Sequence, residues 1–220
     1  MDARILTSDQ IALLHYLGRT PSMRESFYLT GGTPLAAFYL NHRYSEDLDF
    51  FSETEIDLVG LNVMMSEMKR ALLITGIDFQ QSFNRNLFFI HLKSGVIKTE
   101  FTYFPFPRIE KGNAQFGMSV DSIVDIAVNK LFTIYQRTKA RDYIDLYCIC
   151  REKGYKIRDL IAMARVKFDW HIDPLQLGTQ FVKAENAPDM PRMIKKIAKE
   201  DWQRFFIEEA KKLGPEVLEK

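Results

Sequence analysis

Apolar positions in the first hundred residues switch between two periods. Ile11, Leu13, Leu14 and Leu17 follow Thr7-Ser8-Asp9-Gln10, which has the form of a capping box, and predict a helix over 8–19. Residues 26–29 read as a short apolar strand, 34–40 as a short helix and 48–51 as a second strand. Leu58, Leu61, Met64, Met65, Met68 and Leu72 recur at helical spacing, so a helix is expected over 57–74, ended by Gly76. Three alternating runs follow, 77–83, 87–92 and 96–104, separated by Asn84-Arg85-Asn86 and Ser94-Gly95. Turns this closely spaced imply an antiparallel meander. After the Pro-, Gly- and Asn-rich stretch 105–117 the character changes, and helical periods dominate at 120–136, 141–152, 157–168, 173–184 and 201–213. The pattern predicts an α+β protein: a mixed or antiparallel sheet with flanking helices over 1–108, then a helical C-terminal part over 119–220.

The first chemistry lies between the first two strands. Gly31-Gly32 permits positive φ and close approach of backbone N–H groups to an anion. Thr33 is the expected cap of a helix starting at Pro34, and such a helix start can hold phosphate. Asp47 and Asp49 are one residue apart in a strand, so they share a face with Cα atoms about 6.7 Å apart. Two such carboxylates can share a hard cation or a pair of them. In the last strand of the meander, Val96, Lys98, Glu100 and Thr102 share a face, and Glu100 is the natural third carboxylate. A glycine turn beside three carboxylates suggests Mg²⁺–nucleotide chemistry, with the metal neutralising a triphosphate and positioning an acceptor hydroxyl for in-line attack on the α-phosphorus.

A second group is Lys130, Arg137, Arg141, Asp142 and Asp145. In one unbroken helix Lys130 and Asp145 would stand roughly 22 Å apart. A break near 138–140, with Thr138 capping the next helix and Asp142 in its first turn, would let Lys130 and Asp142 serve one site. Lys130 would then be a mobile countercharge to triphosphate. Arg141 and Asp145 can pair at four-residue spacing, and a salt-bridge network joining the helices accounts for the Arg-Asp set equally well. Arg43, just before the aspartate strand, can contact phosphate or acceptor, while His42 reads as a packed or capping residue. His15, His91 and His171 have no ligand spacing.

Composition adds limits. The 220 residues are 46% hydrophobic and 27% charged with a net charge of +1, so no global basic field announces nucleic acid. Cys148 and Cys150 face different directions on a helix and read as core residues in a reducing setting. The N-terminal Met-Asp-Ala-Arg has no apolar stretch of signal type, and no apolar run approaches the about 18 residues of a membrane span. A cytoplasmic protein without a membrane partner is the expectation.

Tyr28-Leu29-Thr30-Gly31-Gly32-Thr33-Pro34-Leu35-Ala36, then His42-Arg43-Tyr44-Ser45-Glu46-Asp47-Leu48-Asp49-Phe50-Phe51, resembles the AbiEii/AbiGii-type nucleotidyltransferase toxin family. Lys130-Leu131-Phe132 and Arg137-Thr138-Lys139-Ala140-Arg141-Asp142-Tyr143-Ile144-Asp145-Leu146-Tyr147 extend the resemblance, and so does Glu100 before its Phe-Pro-Phe-Pro stretch. It implies a DNA-polymerase-β-like nucleotidyltransferase fold, Mg²⁺ (with Mn²⁺ as substitute), a nucleoside triphosphate donor, and the toxin role of a toxin–antitoxin or abortive-infection system with a cognate antitoxin. Some relatives act on tRNA acceptor ends, so tRNA or other RNA is the implied acceptor. By matching position, Gly31, Gly32, Thr33, Arg43 and Lys130 are the nucleotide-binding candidates. Asp47, Asp49 and Glu100 are the metal candidates, and these three with Lys130 and Asp142 are the catalytic candidates. Pro34 stands where the family usually has Ala or Ser, and Glu100 where this superfold commonly has Asp. Two other readings remain at this point: transfer to a small molecule such as an aminoglycoside, and an inactive nucleotide-binding interaction protein.

Overall fold

A computed structural model describes the backbone of residues 5–218 and the side chains of residues 5–214. It divides into two compact units. The sheet unit takes the chain up to Tyr39, Ser45–Pro107 and Lys111–Ser122; the helical unit takes Leu40–Tyr44, Arg108–Glu110 and the chain from Ile123 onward.

The sheet unit opens with helix α1 (Ser8–Arg19), whose capping box is formed: Thr7 accepts from the Gln10 backbone and Gln10 accepts from Thr7 N–H. Helix α2 (Pro21–Ser26) follows, a short element with Pro at its first turn that takes Ser26 from the expected strand. Strand β1 (Tyr28–Thr30) runs into α3 (Gly32–Pro34), which opens at once into a π-helical turn over Leu35–Leu40. Then come β2 (Leu48–Ser52), helix α4 (Leu58–Ala71) capped by Asp57, and the meander β3 (Gly76–Ser82), β4 (Arg85–Leu92), β5 (Gly95–Tyr103). A small hairpin follows: β6 (Ala114–Gln115) lies inside the stretch expected to be loop, and β7 (Met118–Val120) just past it, ending on the residue where a helix was expected to start; strands of two or three residues are too short to show alternation.

Among the described residues the seven strands form one mixed sheet in the order β3-β4-β5-β2-β1-β7-β6. The meander pairs are antiparallel, as expected, whereas β2 runs parallel to β5 and β1 parallel to β7. Alternation gives the sheet two faces. Leu48, Phe50, Phe88, Ile90 and Phe101 enter the core with Leu13, Leu14 and Leu17 of α1 and Met64, Met65 and Met68 of α4. Phe50 stacks on Phe101 at 5.1 Å. Asp49 and Glu100 therefore point to the opposite face.

The helical unit contains α5 (Ile123–Gln136), α6 (Ala140–Lys153), α7 (Ile157–Phe168), α8 (Pro174–Val182), followed by a 3₁₀ turn over Lys183–Asn186, and α9 (Lys199–Leu218). The expected break between α5 and α6 is present at 137–139. Lys139, not Thr138, holds the N-cap position of α6, and the Thr138 hydroxyl donates to Gln180 Oε1 instead. Trp202 and Phe206 of α9 pack on Tyr143 of α6. Asp125 and Lys167 form a fully buried pair at 2.7 Å, and Asp125 also accepts from the backbone N–H of Ile109 and Glu110, which anchors 108–110. Both cysteines are free and buried, and burial pushes each thiol up to about 12, so they serve as core residues. Among the described residues no helix is long and apolar enough to cross a membrane.

Candidate active site

The predicted site residues fall into two clusters, one in each unit. In the sheet unit the glycine turn and the carboxylates come together. Asp49 is in register with Thr30 of β1 on one side and with Glu100 of β5 on the other. Gly31 has φ +83, and a Cβ built there would stand 2.7 Å from Asp49 Oδ2. The positive φ favours glycine here, and a methyl group would displace the Asp49 carboxylate. Gly31 also holds the N-cap position of α3, which displaces the expected cap role of Thr33. The buried Thr33 hydroxyl turns back across the loop instead, 2.5 Å from the Asp47 carbonyl and 2.9 Å from Ser45 Oγ. It fixes the backbone that carries Asp47. Behind the turn, Thr30 donates to the buried Asp121 at 2.7 Å.

Two cations on the same face, neither singled out by sequence, meet the carboxylates. Arg85 of β4 grips Glu100 in a two-pronged pair, Nε to Oε1 and Nη2 to Oε2, both at 2.6 Å, and Thr102 Oγ1 adds a bond at 2.8 Å. Lys98 Nζ lies 3.3 Å from Asp47 Oδ2 and 3.7 Å from Glu100 Oε2. Burial works to raise the Glu100 carboxyl, but the bonds from Arg85 and Thr102 outweigh it and hold the group below its ordinary value. The signal available in sequence was Lys98 two residues from Glu100; the Arg85 pairing depends on the β4–β5 register, which residue types alone do not specify.

In the helical unit, a buried charge network surrounds two aspartates. Asp145 is fully buried and receives Arg43 Nε at 2.6 Å, Arg43 Nη2 at 2.8 Å, His42 Nε2 at 2.8 Å and Lys130 Nζ at 2.8 Å. Asp142 receives Lys130 at 2.7 Å and the half-exposed Arg137 at 3.1 Å. Burial opposes ionisation of both carboxylates. Arg43 and Lys130 nevertheless hold Asp145 well below the ordinary range, and Lys130 does the same, less strongly, for Asp142. Lys130 is raised in turn: burial lowers it, and the two aspartates more than compensate. The π turn precedes Arg43 in sequence. Asn41 follows it with φ 51, and the next residues pair with the segment before α9, where Tyr44 N–H donates to Arg192 and His42 C=O accepts from Ile194 and Lys195. Arg141, expected as a possible partner of Asp145, yields that place to Arg43, His42 and Lys130.

The profile of the family described as nucleotidyl transferase AbiEii toxin, type IV toxin–antitoxin system, matches residues 15–213. The chain belongs to the AbiEii family. It is therefore a nucleotidyltransferase of the toxin class, for which a nucleoside triphosphate is the implied substrate and an antitoxin the implied partner, as the resemblance suggested. An uncharacterised Aquifex aeolicus protein is 30% identical over 148 residues, spanning 66% of this AbiEii chain and 67% of its own. Two Helicobacter pylori crystal structures share the fold at 22% identity. JHP933 has a TM-score of 0.60 over 100% of this chain and 95% of its own, and a putative nucleotidyltransferase has 0.61 over 100% and 98%.

Gly31 of this AbiEii chain offers a direct check on the glycine turn. Gly31→Ala is expected to lower transfer activity by about a hundredfold, because the added methyl group forces Asp49 from its place. The thermal midpoint should drop by several degrees, reflecting about 1–3 kcal/mol for a positive-φ extended backbone that glycine alone adopts readily. Initial transfer rates and a melting curve on the same preparation measure both.

Proposed function

We propose that this AbiEii protein transfers a nucleoside monophosphate from an NTP to a hydroxyl of RNA, with Asp47, Asp49 and Glu100 as the reactive face and Mg²⁺ as the cofactor. The register of Asp49 with Glu100, beside a positive-φ glycine whose Cβ would press on the Asp49 carboxylate, is the observation that carries this reading. The donor set suits a hard divalent cation, since it consists of carboxylate oxygens alone. Among the described residues no three acidic, His or Cys side chains are arranged to share an ion, and Glu100 has both oxygens on Arg85. Asp47 and Asp49 are therefore the residues that would hold the cation first. When bound, it supplies charge neutralisation for the triphosphate oxygens.

The chain's own residues do the rest. Thr33 keeps the Asp47 backbone in place. One carboxylate accepts the acceptor hydroxyl proton as that oxygen bonds to the α-phosphorus; the bond to the β-phosphate oxygen breaks and pyrophosphate leaves. Lys130 and Asp142, at the positions of the family's later motifs, pair with each other at 2.7 Å inside the helical unit, where Arg43 keeps the Asp145 end of the same network charged.

Incubation with Mg²⁺, total RNA and each labelled NTP in turn tests the reading. At least one NTP should label RNA with wild-type protein, and none with Asp47→Ala. Label confined to small molecules, or equal labelling by Asp47→Ala, would overturn it.

A further inference from the structure

The β3–β4 hairpin ends in a turn whose composition works against its own stability. Ser82 pairs with Arg85, which leaves Phe83 and Asn84 as the turn residues. Phe83 has φ 56. Two-residue hairpin turns use a positive φ at this first position, and glycine or asparagine is the residue that accepts it without strain. A bulky side chain there is strained, and this one is 95% exposed, so packing returns nothing for the strain. Phe79, earlier on the same strand, makes the contrast: its ring packs on Phe88 at 4.8 Å. Strain kept without a folding benefit points to function.

The neighbours of the tip say what function. Two residues on, Arg85 holds Glu100, yet 49% of its side chain is exposed. Leu87 stands opposite Glu100 and Phe89 opposite Lys98, so β4 presents Arg85, Leu87 and Phe89 on the face that carries the carboxylates. From the tip inward the order is aromatic ring, guanidinium, reactive carboxylate. A single-stranded polynucleotide offers the complementary order: a base face, a phosphate and a terminal hydroxyl.

We infer that this hairpin tip is the platform for the acceptor strand, with Phe83 stacking on an unpaired base of the RNA and Arg85 pairing with its backbone phosphate. The inference rests on the RNA-acceptor reading above and names the residues that hold that acceptor. Stacking accepts any base, so the platform contributes affinity and placement, not sequence choice.

The test uses the full chain and a fluorescent single-stranded oligoribonucleotide with a free 3′-hydroxyl, read by anisotropy, with MgNTP calorimetry and melting curves in parallel. Phe83→Gly is expected to weaken RNA binding about tenfold and Phe83→Trp to stay within about twofold of wild type. MgNTP affinity should be unchanged in both, and the thermal midpoint of Phe83→Gly equal to or above wild type, because glycine relieves the turn. Arg85→Gln should weaken RNA binding and reduce its salt dependence by about one phosphate contact. RNA binding by Phe83→Gly at wild-type strength, or equal loss in Phe83→Trp, overturns the platform while leaving the RNA acceptor standing. A wild-type protein that binds MgNTP but neither binds nor labels RNA overturns both.

Discussion

Asp49→Asn is expected to lower nucleotidyl transfer by about a thousandfold or more, a loss larger than that of a single neutral hydrogen-bond donor because a full charge at the reacting phosphate is removed. The substitution keeps shape and hydrogen-bonding capacity, and Asp49 faces away from the core formed by Leu48 and Phe50, so the thermal midpoint should move little. Single-turnover transfer from a labelled NTP, with circular dichroism on the same sample, separates chemistry from folding. Activity within tenfold of wild type would remove Asp49 from the reactive face. The neighbouring Gly31 sharpens the expectation: a Cβ built there would stand 2.7 Å from Asp49 Oδ2, so the turn and this carboxylate share one small space.

This part of the protein was readable from residue types because it depends on short-range rules. Alternation alone puts Lys98 with Glu100 on a common face, and a glycine pair between strand and helix is a local signal, whereas Asp47 lies just before β2, outside the strand in which it was expected to alternate with Asp49. The AbiEii resemblance and the α+β class came from the same local blocks, and the family match and the mixed sheet agree with both. What residue types did not reveal is set by pairing over distance. Arg85 meets Glu100 only through the register of a hairpin. Arg43, free in a linear reading to face phosphate, has its guanidinium on Asp145 in the folded chain. Thr33 was expected to cap its own helix, but Gly31 takes that position and the hydroxyl reaches Asp47. Helix α2, strands β6 and β7 and the π turn escaped because each is shorter than the window in which a period can be recognised.

The largest stability effect is expected at Asp145. Asp145→Asn removes the charge that compensates Arg43 and Lys130 inside the helical unit, and breaking a buried pair in this way costs about 3–5 kcal/mol. For a chain of this length that lowers the thermal midpoint by about 10 °C. Arg137→Ala, which removes a half-exposed partner of Asp142, should cost no more than about 1 kcal/mol. The acid limb gives a second readout. Asp145 and Asp142 have folded-state values below those of the unfolded chain, so the unfolded state binds protons first as the pH falls. Their contribution is complete above about pH 5 and is lost progressively below it, toward and through the depressed folded values. Melting curves from about pH 7 down to about pH 3 should therefore fall steeply in wild type and less steeply in Asp145→Asn. A variant as stable as wild type, with the same acid limb, would show that Arg43 and Lys130 do not depend on this carboxylate.

Residues Leu40–Tyr44 belong to the helical unit although they are made before most of the sheet, and Arg43 lies 102 residues ahead of Asp145. At ordinary rates of protein synthesis, that separation corresponds to roughly 5–20 s during which the guanidinium has no buried carboxylate to meet. The carboxylate strands, by contrast, have all been synthesised once Tyr103 is added. A nascent AbiEii chain thus acquires its reactive face early and the charge network of its other unit late. An interrupted chain ending before Asp145 would carry Asp47, Asp49 and Glu100 while leaving Arg43 and Lys130 without the aspartate they share.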